Sequence, residues 1–252
     1  MISRYEAIMD GTPLSHIDPR LLVLDIQHEI SEPSISVGRI VNRNGSIMQN
    51  NSQDGSSVTI LFELHIYSIS ERQEVCQKVV EWAKGSVLET NDRIGQQLHV
   101  HCTEYPMIKS AMEWTAPLTM TFTAFEKPFW EEKTARTIAL STSTSGTLYV
   151  PGNAGKTYVE ATVTPSTTLS DITLAVGDTS ITLTGCSATP TNKLVISYDD
   201  RGFLQIKVGT TSILDKRTGS DDLLAVCGTD NTFSYSTTDS VTVEFAVRGL
   251  WM

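Results

Sequence analysis

The sequence predicts a mainly β protein with two domains and one α-helix. Three observations support this fold class: short segments in which apolar residues alternate, a single amphipathic helical segment, and a change in composition after residues 118–130. In that segment, LTMTFTAFEKPFW, apolar residues alternate with threonines as in a half-buried strand, and Pro128 then removes a backbone donor. We therefore predict a boundary here, with domains at 1–133 and 134–252.

Strand-like segments precede the helix. Residues 21–30 and 35–41 are rich in Leu, Ile and Val, and the apolar residues of 58–66 alternate as in a strand with one buried face. The intervening stretch 42–57 is polar and contains two glycines. We predict that it forms a long mobile loop with at most a short extended excursion at 46–48.

The helix is predicted over about 70–84. Its apolar residues recur at helical spacing up to Trp82, and charged residues occupy the opposite face. Ser70 stands three residues before Gln73, the spacing of a capping box, so we predict Ser70 as the N-cap. Gly85 follows the last apolar positions, so we predict that it ends the helix as a C′ residue. We expect the helix to pack across an open barrel.

Short strands recur in the second half of the chain, from residue 148 onward. Turn residues separate them, and antiparallel strands at this spacing are typical of a β-sandwich, which we predict for 134–252. The predicted strands are 158–163, 172–176, 180–183, 194–197, 204–208, 232–235 and 241–247.

Composition excludes several classes of function. The chain has 19 Lys and Arg against 29 Asp and Glu, a net charge of -10, and residues 1–133 alone carry 11 against 18. An acidic surface disfavours a protein that grips nucleic acid through its phosphates. No apolar run is long enough to cross a bilayer, and the N-terminus lacks a signal-peptide pattern. We therefore expect synthesis in the cytoplasm and no membrane insertion. The four cysteines share no CxxC spacing, which favours reduced structural thiols.

Two histidines are the best candidates for a metal site. On one strand, His99 and His101 would share a face, with Glu104 close by, and this spacing suits two metal ligands. A metal site would need a further ligand from elsewhere in the chain, and none can be named. Surface or pocket histidines are the simpler interpretation, so we predict no metal ligand.

The acidic pairs also have a simple interpretation. Asp199-Asp200 and Asp221-Asp222 lack the ligand spacing of a calcium loop and are interpreted as solvated turn residues. A pair of carboxylates could hydrolyse a glycosidic bond, but nothing in the sequence selects one pair among 29 acids. No nucleophile, zinc or phosphate-binding motif occurs. We predict no catalytic residue and no cofactor, and hence no enzyme.

Tryptophans have two interpretations. Trp114, Trp130 and Trp251 could stack on sugars, but packing within a domain or interface is the simpler role. Trp251 lies at the end of the last predicted strand, where it would close the sandwich. We therefore predict Trp82, Trp130 and Trp251 as structural anchors.

The order of these segments resembles the distal tail protein family of siphophages. In the first half, GRIVNRNGSIM, SVTILFELHI and ERQEVCQKVVEWAKG resemble the hairpin, strand and helix of the family. FEKPFW resembles its aspartate-proline-aromatic strand ending, with Lys127 in place of the usual acid. In the second half, PGNAGKTYVEATVTP, LLAVCGTDNTFS and VEFAVRGLW resemble its sandwich domain and closing tryptophan.

The resemblance implies a tail-tube-like split β-barrel over 1–133 with the helix at about 70–84, followed by a galectin-like β-sandwich over 134–252. It implies a hexameric ring in the virion tail tip, with the N-terminal domains lining a channel through which DNA passes. As a hub, the ring would connect the tail tube protein to the tail-tip hub or tail-associated protein and to the receptor-binding proteins of the baseplate.

Other functions remain open at this point. The galectin-like half suggests a carbohydrate-binding adhesion module as the alternative function. However, galectins bind sugar through histidine and tryptophan clusters, whereas 134–252 contains no histidine and only Trp251, so sugar binding does not follow from the resemblance. A cell-wall hydrolase and a tail-tube subunit are further alternatives.

Overall fold

The computed structural model describes residues 5–29, 33–39, 46–53, 55–107, 117–199 and 201–252. The chain divides into two compact units, one formed by residues 1–130 with Met252 and the other by residues 131–251. The predicted mainly β class is confirmed, and the described residues contain one α-helix. No helix among them is both long and apolar enough to span a bilayer.

The N-terminal unit contains three groups of paired strands. Strands β3, β6, β10 and β9 form one sheet in that order, β2, β1, β7 and β8 are neighbours in another, and β4 pairs with β5. A 3₁₀ turn covers Leu14–His16. The elements are β1 Ala7–Met9, β2 Thr12–Pro13, β3 Leu21–Glu29, β4 Pro33–Arg39, β5 Ser46–Gln53, β6 Ser56–Leu64, α1 Ile69–Trp82, β7 Val87–Thr90, β8 Gln96–His99, β9 His101–Glu104 and β10 Leu118–Ala124.

The C-terminal unit contains two large antiparallel sheets. One has the order β12-β23-β14-β17-β18-β19, with β21 also on β14, and the other has the order β13-β22-β15-β16-β20; β11 pairs with β24. The elements from the boundary onward are β11 Trp130–Glu132, whose first residue belongs to the first unit, β12 Arg136–Leu140, β13 Ser145–Val150, β14 Lys156–Pro165, β15 Ile172–Val176, β16 Thr179–Leu183, β17 Leu194–Tyr198, β18 Leu204–Val208, β19 Thr211–Ser212, β20 Arg217–Gly219, β21 Leu224–Val226, β22 Thr229–Ser236, β23 Val241–Val247 and β24 Leu250–Trp251. A 3₁₀ turn covers Leu214–Lys216.

Alternating residues build the core of the N-terminal unit. Strand β6 alternates buried and half-buried positions along its whole length, and β10 pairs with it in antiparallel register, Phe62 opposite Leu118. Val58, Ile60 and Phe62 are fully buried, as is Phe122 on β10. The strands predicted from these two segments are confirmed, and their period-2 alternation places the buried residues on one face.

The second unit buries one apolar cluster to which both large sheets contribute. Phe245 on β23 and Phe233 on β22 lie in it with ring centroids 5.4 Å apart. Residues 172–176, 204–208 and 241–247 form strands with the predicted bounds. The list of predicted strands omitted β12 and β13, since exposed Ser, Thr and Arg residues leave no continuous apolar alternation there.

The helix begins and ends differently from the prediction. Its N-cap is Ser68, whose hydroxyl accepts a hydrogen bond from the Glu71 N–H at 3.5 Å. The predicted N-cap, Ser70, instead lies in the first turn, with its hydroxyl 3.0 Å from that of Ser68. Ser70 was therefore a wrong choice, because the backbone is already helical at Ile69.

Gly85 does not end the helix as predicted. The helix stops at Trp82, Ala83 is the C-cap with right-handed backbone angles, and Gly85 is not in the left-handed region. Glycine has a different role here. A Cβ on Gly85 would lie 2.2 Å from Met9 Cγ, so any other residue at this position would require the buried Met9 side chain to move.

The predicted long loop over 42–57 was also wrong. Residues 46–53 form strand β5, antiparallel to β4 with a bulge between Ser36 and Val37, and β6 already begins at Ser56. Residues 40–45 and 54 lie outside the described part of the chain. Strand β5 is SIMQNNSQ, and its mostly polar sequence has no apolar alternation to reveal it, since strand pairing itself uses only the backbone.

Candidate interaction surfaces

The residues considered for a metal site do not come together. His99 ends β8 and His101 begins β9, so the two histidines lie on different strands. The His101 ring stacks on Phe125 with centroids 6.4 Å apart, and the Glu104 carboxylate accepts a hydrogen bond from the Thr121 hydroxyl at 3.1 Å. Within the described residues, no group of three or more His, Cys, Asp or Glu side chains is arranged to hold a metal ion.

The acidic pairs belong to turns. The Asp199 carboxylate accepts hydrogen bonds from the backbone N–H groups of Arg201 at 3.0 Å and Phe203 at 2.8 Å, which closes the β17–β18 turn. Asp200 lies outside the described residues. Asp221 pairs with Arg217 at 3.0 Å. Burial, followed by the charge of Asp221, raises the pKa of Asp222.

All four cysteines are free thiols. Burial raises the pKa of Cys76, Cys186 and Cys227, and it raises the pKa of Cys102 to about 11. Because the thiolate is the reactive form, these pKa shifts leave the thiols protonated near neutral pH. The thiols are therefore poorly suited to nucleophilic chemistry.

Trp82 connects the helix to two groups of strands. Its indole N–H donates to the Thr12 carbonyl on β2 at 2.7 Å. Its ring meets Phe122 of β10 edge to face, with centroids 6.1 Å apart. A buried indole whose polar atom is satisfied holds one orientation, so Trp82 fixes the last turn of α1 against both β2 and β10.

Trp130 is the centre of a polar cluster that the sequence did not reveal. The tryptophan is 3% exposed, His28 meets its ring edge to face at 5.4 Å, and the Arg93 guanidinium lies 5.0 Å from its centroid. His28 Nε2 lies 2.7 Å from an Asp92 oxygen. Burial alone would raise the pKa of Asp92, but hydrogen bonding and the charge of His28 outweigh it and lower the pKa.

The other two tryptophans contribute less. Trp251, on β24, is only partly buried, and Trp114 lies outside the described residues. Near β24, the Gly249 carbonyl accepts the Glu132 N–H at 2.9 Å, and the Arg248 guanidinium donates to the Glu132 carbonyl at 2.7 Å. These contacts tie the start of the second unit to its last strand.

Two aromatic residues of the second unit, Tyr158 and Tyr198, pack against each other. Tyr158 is 43% exposed, but Tyr198 stacks on it with centroids 4.3 Å apart, and Gly202 lies against its hydroxyl end. The Leu223 N–H donates to the Tyr198 hydroxyl at 2.9 Å, and burial raises the pKa of that hydroxyl. Each of these two rings therefore covers one face of the other, whereas Phe203 and Tyr149 are 64% and 48% exposed.

A groove of about 830 Å³ lies in the N-terminal unit beside the second half of α1. Apolar side chains of Met9, Ile17 and Trp82 line it together with several charged residues. The remaining lining residues are Asp10, Thr12, Glu74, Gln77, Lys78, Glu81 and Gly85.

A tight turn holds one wall of this groove. Asp10 and Gly11 join β1 to β2 with φ of +48° and +80°, the left-handed pair that a two-residue hairpin turn requires. The Asp10 carboxylate accepts the N–H groups of Ser86 at 3.2 Å and Val87 at 3.0 Å, and so fixes the turn to β7. The sequence AIMDGTP contained this signal, since Asp-Gly between apolar residues is a strong hairpin pattern.

Acidic residues dominate the rim of the groove. Glu74 pairs with Lys78 at 2.9 Å, and Glu81 pairs with Lys84 at 2.6 Å. The glutamate side chains are 66% and 70% exposed. Exposed ion pairs of this kind contribute little to the free energy of folding, so the two glutamates act mainly by placing negative charge at the rim.

Comparisons with known proteins identify the fold. No family model matches the sequence, and neither does any curated protein. The solved structure of SPP1 Dit (gp 19.1), described as a paradigm of the hub adsorption apparatus in Gram-positive infecting phages, is similar with a TM-score of 0.69 and 10% sequence identity. The similarity covers 98% of this chain and 99% of that chain.

Two structures of the phage p2 baseplate in its activated conformation, with Sr and with Ca, are also similar. They cover 98% and 99% of this chain and 98% of each matching chain, at 11% and 12% identity, with TM-scores of 0.46. The likeness to SPP1 Dit is the stronger one, and at 10% identity it establishes a shared fold. The resemblance to the distal tail family is thereby confirmed at the level of the fold.

Proposed function

We propose that the protein is a structural subunit of a phage tail tip, where it acts as the hub between the tail tube and the baseplate. The single observation that carries this proposal is the fold shared with SPP1 Dit over nearly the whole of both chains. A match that extends through both compact units favours the same kind of two-part protein over a common domain reused elsewhere.

In this proposal residues 1–133 form a tail-tube-like split barrel, residues 134–252 form a galectin-like sandwich, and six copies form a ring. Support comes from the division of the chain into two units and from the two sheets that share one core in the second unit. A closed ring uses a different patch on each side of every subunit, so its interfaces are heterologous.

The N-terminal domains would line a channel through which DNA passes. Residues 1–133 carry 11 Lys and Arg against 18 Asp and Glu, so six copies would concentrate negative charge. A negative lumen repels phosphates and lets DNA slide without binding, because phosphate affinity requires clustered cations. An electrostatic map of the assembled ring tests this idea, and a basic lumen would contradict it.

The proposed partners are the tail tube protein, a tail-tip hub or tail-associated protein, and the receptor-binding proteins of the baseplate. The proposed location is the virion, after synthesis in the host cytoplasm. We propose no enzymatic role, in keeping with the protonated thiols and the turn-bound aspartates. Zymography on bacterial cell walls tests this point, and a zone of clearing would contradict it.

The alternative function, carbohydrate binding by the second unit, is not favoured by the Tyr158–Tyr198 pair or by Trp251. Tyr158 and Tyr198 pack against each other, and Trp251 is partly buried on β24, which pairs with β11. A glycan array probed with the whole chain separates the two functions. We expect no specific signal, and strong binding to one glycan class would favour the adhesion module.

The decisive experiment measures the mass of the assembly in solution. Light scattering coupled to size exclusion is expected to give six times the chain mass of 27.7 kDa, and negative-stain images are expected to show sixfold rings. A monomer at every concentration would contradict the ring, and long stacked tubes would favour a tail-tube subunit instead.

A further inference from the structure

The turn between β1 and β2 combines a reactive sequence with a carboxylate that the fold holds in place. In an Asp-Gly pair the backbone nitrogen of the glycine attacks the aspartate carboxyl carbon with little hindrance, because glycine has no side chain. Asp10 and Gly11 are both exposed, and nothing lies within 4 Å of the position that a Cβ on Gly11 would occupy. Solvent therefore reaches the pair, and its sequence is suited to isomerisation.

The reaction open to this pair has two balanced steps. In the first, a bond forms between Gly11 N and Asp10 Cγ, the amide proton and the carboxyl hydroxyl leave as water, and a cyclic succinimide results. In the second, water opens the ring at either of its carbonyl groups. Opening at the main-chain carbonyl of Asp10 leaves the backbone running through the former side chain. The product, an isoaspartate, has an additional methylene in its backbone.

The fold binds both oxygens of the carboxylate that would be attacked. Asp10 Oδ1 accepts a hydrogen bond from the Val87 N–H at 3.0 Å, and Oδ2 accepts one from the Ser86 N–H at 3.2 Å. The Asp10 N–H donates to the Val87 carbonyl at 2.9 Å. Because cyclisation expels one carboxyl oxygen and turns Cγ toward Gly11 N, the two bonds to the carboxylate must break first.

We propose that Asp10–Gly11 is a site of spontaneous isoaspartate formation that the folded N-terminal unit keeps unreactive. The reaction proceeds only when the turn opens and its carboxylate leaves the amides of Ser86 and Val87. A reaction that requires local opening is slowed by the equilibrium constant of that opening. The modification needs only one folded chain, so it is independent of the ring in the proposed function.

The product loses contacts that the aspartate makes. The added methylene lengthens the backbone of the turn, and the free carboxylate is then attached directly to Cα. The turn cannot keep both the pairing of Met9 with Thr12 and the hydrogen bonds from residues 86 and 87. Met9 and Asp10 line the groove beside α1, so isomerisation should also displace one wall of that groove.

Ageing of the whole chain tests the site. The protein is incubated at neutral pH, either folded or in concentrated guanidinium, and its tryptic peptide of residues 5–20 is followed over time. Isoaspartate has the mass of aspartate, so chromatography separates the two forms, enzymatic methylation of the new α-carboxyl identifies the product, and fragmentation places it at residue 10. Isomerisation should be at least about tenfold slower in the folded chain. Equal rates in the two states, or no isoaspartate at residue 10 in guanidinium, would overturn the proposal.

A matched pair of glycine variants tests whether the carboxylate contacts control the rate. A Cβ on Gly85 would lie 2.6 Å from Asp10 Oδ2, so Gly85→Ala displaces the carboxylate. Gly95→Ala strains a left-handed backbone at φ +78° in the same unit, with open space around its Cβ. Isomerisation should be about fivefold faster in Gly85→Ala than in Gly95→Ala, the effect of losing about one hydrogen bond. Equal rates in the two folded variants would show that the contacts do not protect the site.

Hydrogen exchange of the aged wild type gives a test that does not depend on a variant that folds. The amides of Ser86 and Val87 lose their acceptor when Asp10 isomerises. Their exchange should therefore accelerate in proportion to the isoaspartate content at residue 10. Unchanged exchange in a sample rich in isoaspartate would contradict the proposed loss of these contacts.

Discussion

The two units of this chain differ in how far their strands and polar side chains are paired within the unit itself. The two large sheets of the C-terminal unit share one apolar core. In the same unit Tyr158 packs against Tyr198, and the Asp199 carboxylate accepts a hydrogen bond from the backbone of its own turn. The N-terminal unit leaves the β4–β5 hairpin unpaired with any other described strand and has an acid-rimmed groove beside α1. A two-stranded sheet without a further described partner strand and an acid-rimmed groove therefore both lie in the first unit.

The largest expected effect tests whether the two cores are independent. Phe62→Ala should destabilise the N-terminal unit by about 3–5 kcal/mol, and Phe245→Ala should do the same to the C-terminal unit, because each ring is fully buried. Hydrogen exchange read by mass spectrometry assigns the loss to peptides of one unit. If either variant reduced hydrogen-exchange protection equally in both units, the two cores would not be independent.

A glycine pair sharpens the description of the second unit. A Cβ on Gly152, whose φ is +118°, would overlap the Leu250 carbonyl, whereas Gly155, at φ +85°, has nothing near. Gly155→Ala should cost about 1–2 kcal/mol from its backbone conformation alone, and Gly152→Ala should cost more by the added clash. Thermal unfolding of both variants measures the difference. Equal melting temperatures would show that the clash with the Leu250 carbonyl does not contribute.

The sequence predicted the elements that bury one face and missed those that do not. Strands such as β6, β10 and β23 alternate, because water and core select opposite residue types on their two faces. Strand β5 is mostly polar, so no alternation of apolar residues in the sequence indicates that it pairs. The N-cap error at Ser70 has a similar origin, since Ser68 offers the same hydroxyl and backbone geometry decides between them.

The groove and the Trp130 cluster were harder to foresee. The groove joins residues 9–17 to residues 74–85, and the cluster joins His28 to Asp92 and Trp130. Such sites depend on strand order, and strand order is set by long-range pairing that no local pattern encodes. The Asp10–Gly11 turn was the one local signal for the groove, and it predicts a hairpin rather than a binding surface.

Two aspartates extend the comparison of the units to pH. The lowered pKa of Asp92 stabilises the N-terminal unit above the unfolded pKa, about 3.9, and this contribution disappears as pH falls through the folded pKa. Asp92→Asn should therefore cost at most about 1 kcal/mol at pH 7 and nothing in acid, since the carboxylate is partly exposed. A series of denaturant titrations from pH 7 down to below the folded pKa measures the change.

Asp222 supplies the matched case with the opposite sign. Its raised pKa means that the folded second unit holds a proton more tightly than the unfolded chain, so stability falls as pH rises through the folded pKa. Asp222→Asn should thus be neutral or slightly stabilising at pH 7. A loss at pH 7 as large as that of Asp92→Asn would contradict the assignment of opposite environments.

The smallest expected losses of stability come from removing ion pairs. Their size depends on the geometry and burial of each pair rather than on which unit contains it. Lys78→Ala removes a single exposed contact to Glu74 and should cost about 0.3–0.5 kcal/mol. Arg136→Ala removes two hydrogen-bonded nitrogens from Glu132, whose carboxylate also accepts the Gly249 N–H at 3.2 Å. Because that carboxylate is more buried, the second loss should reach about 1 kcal/mol. Chemical denaturation at two salt concentrations measures both, and only the Lys78 effect should fade at high salt.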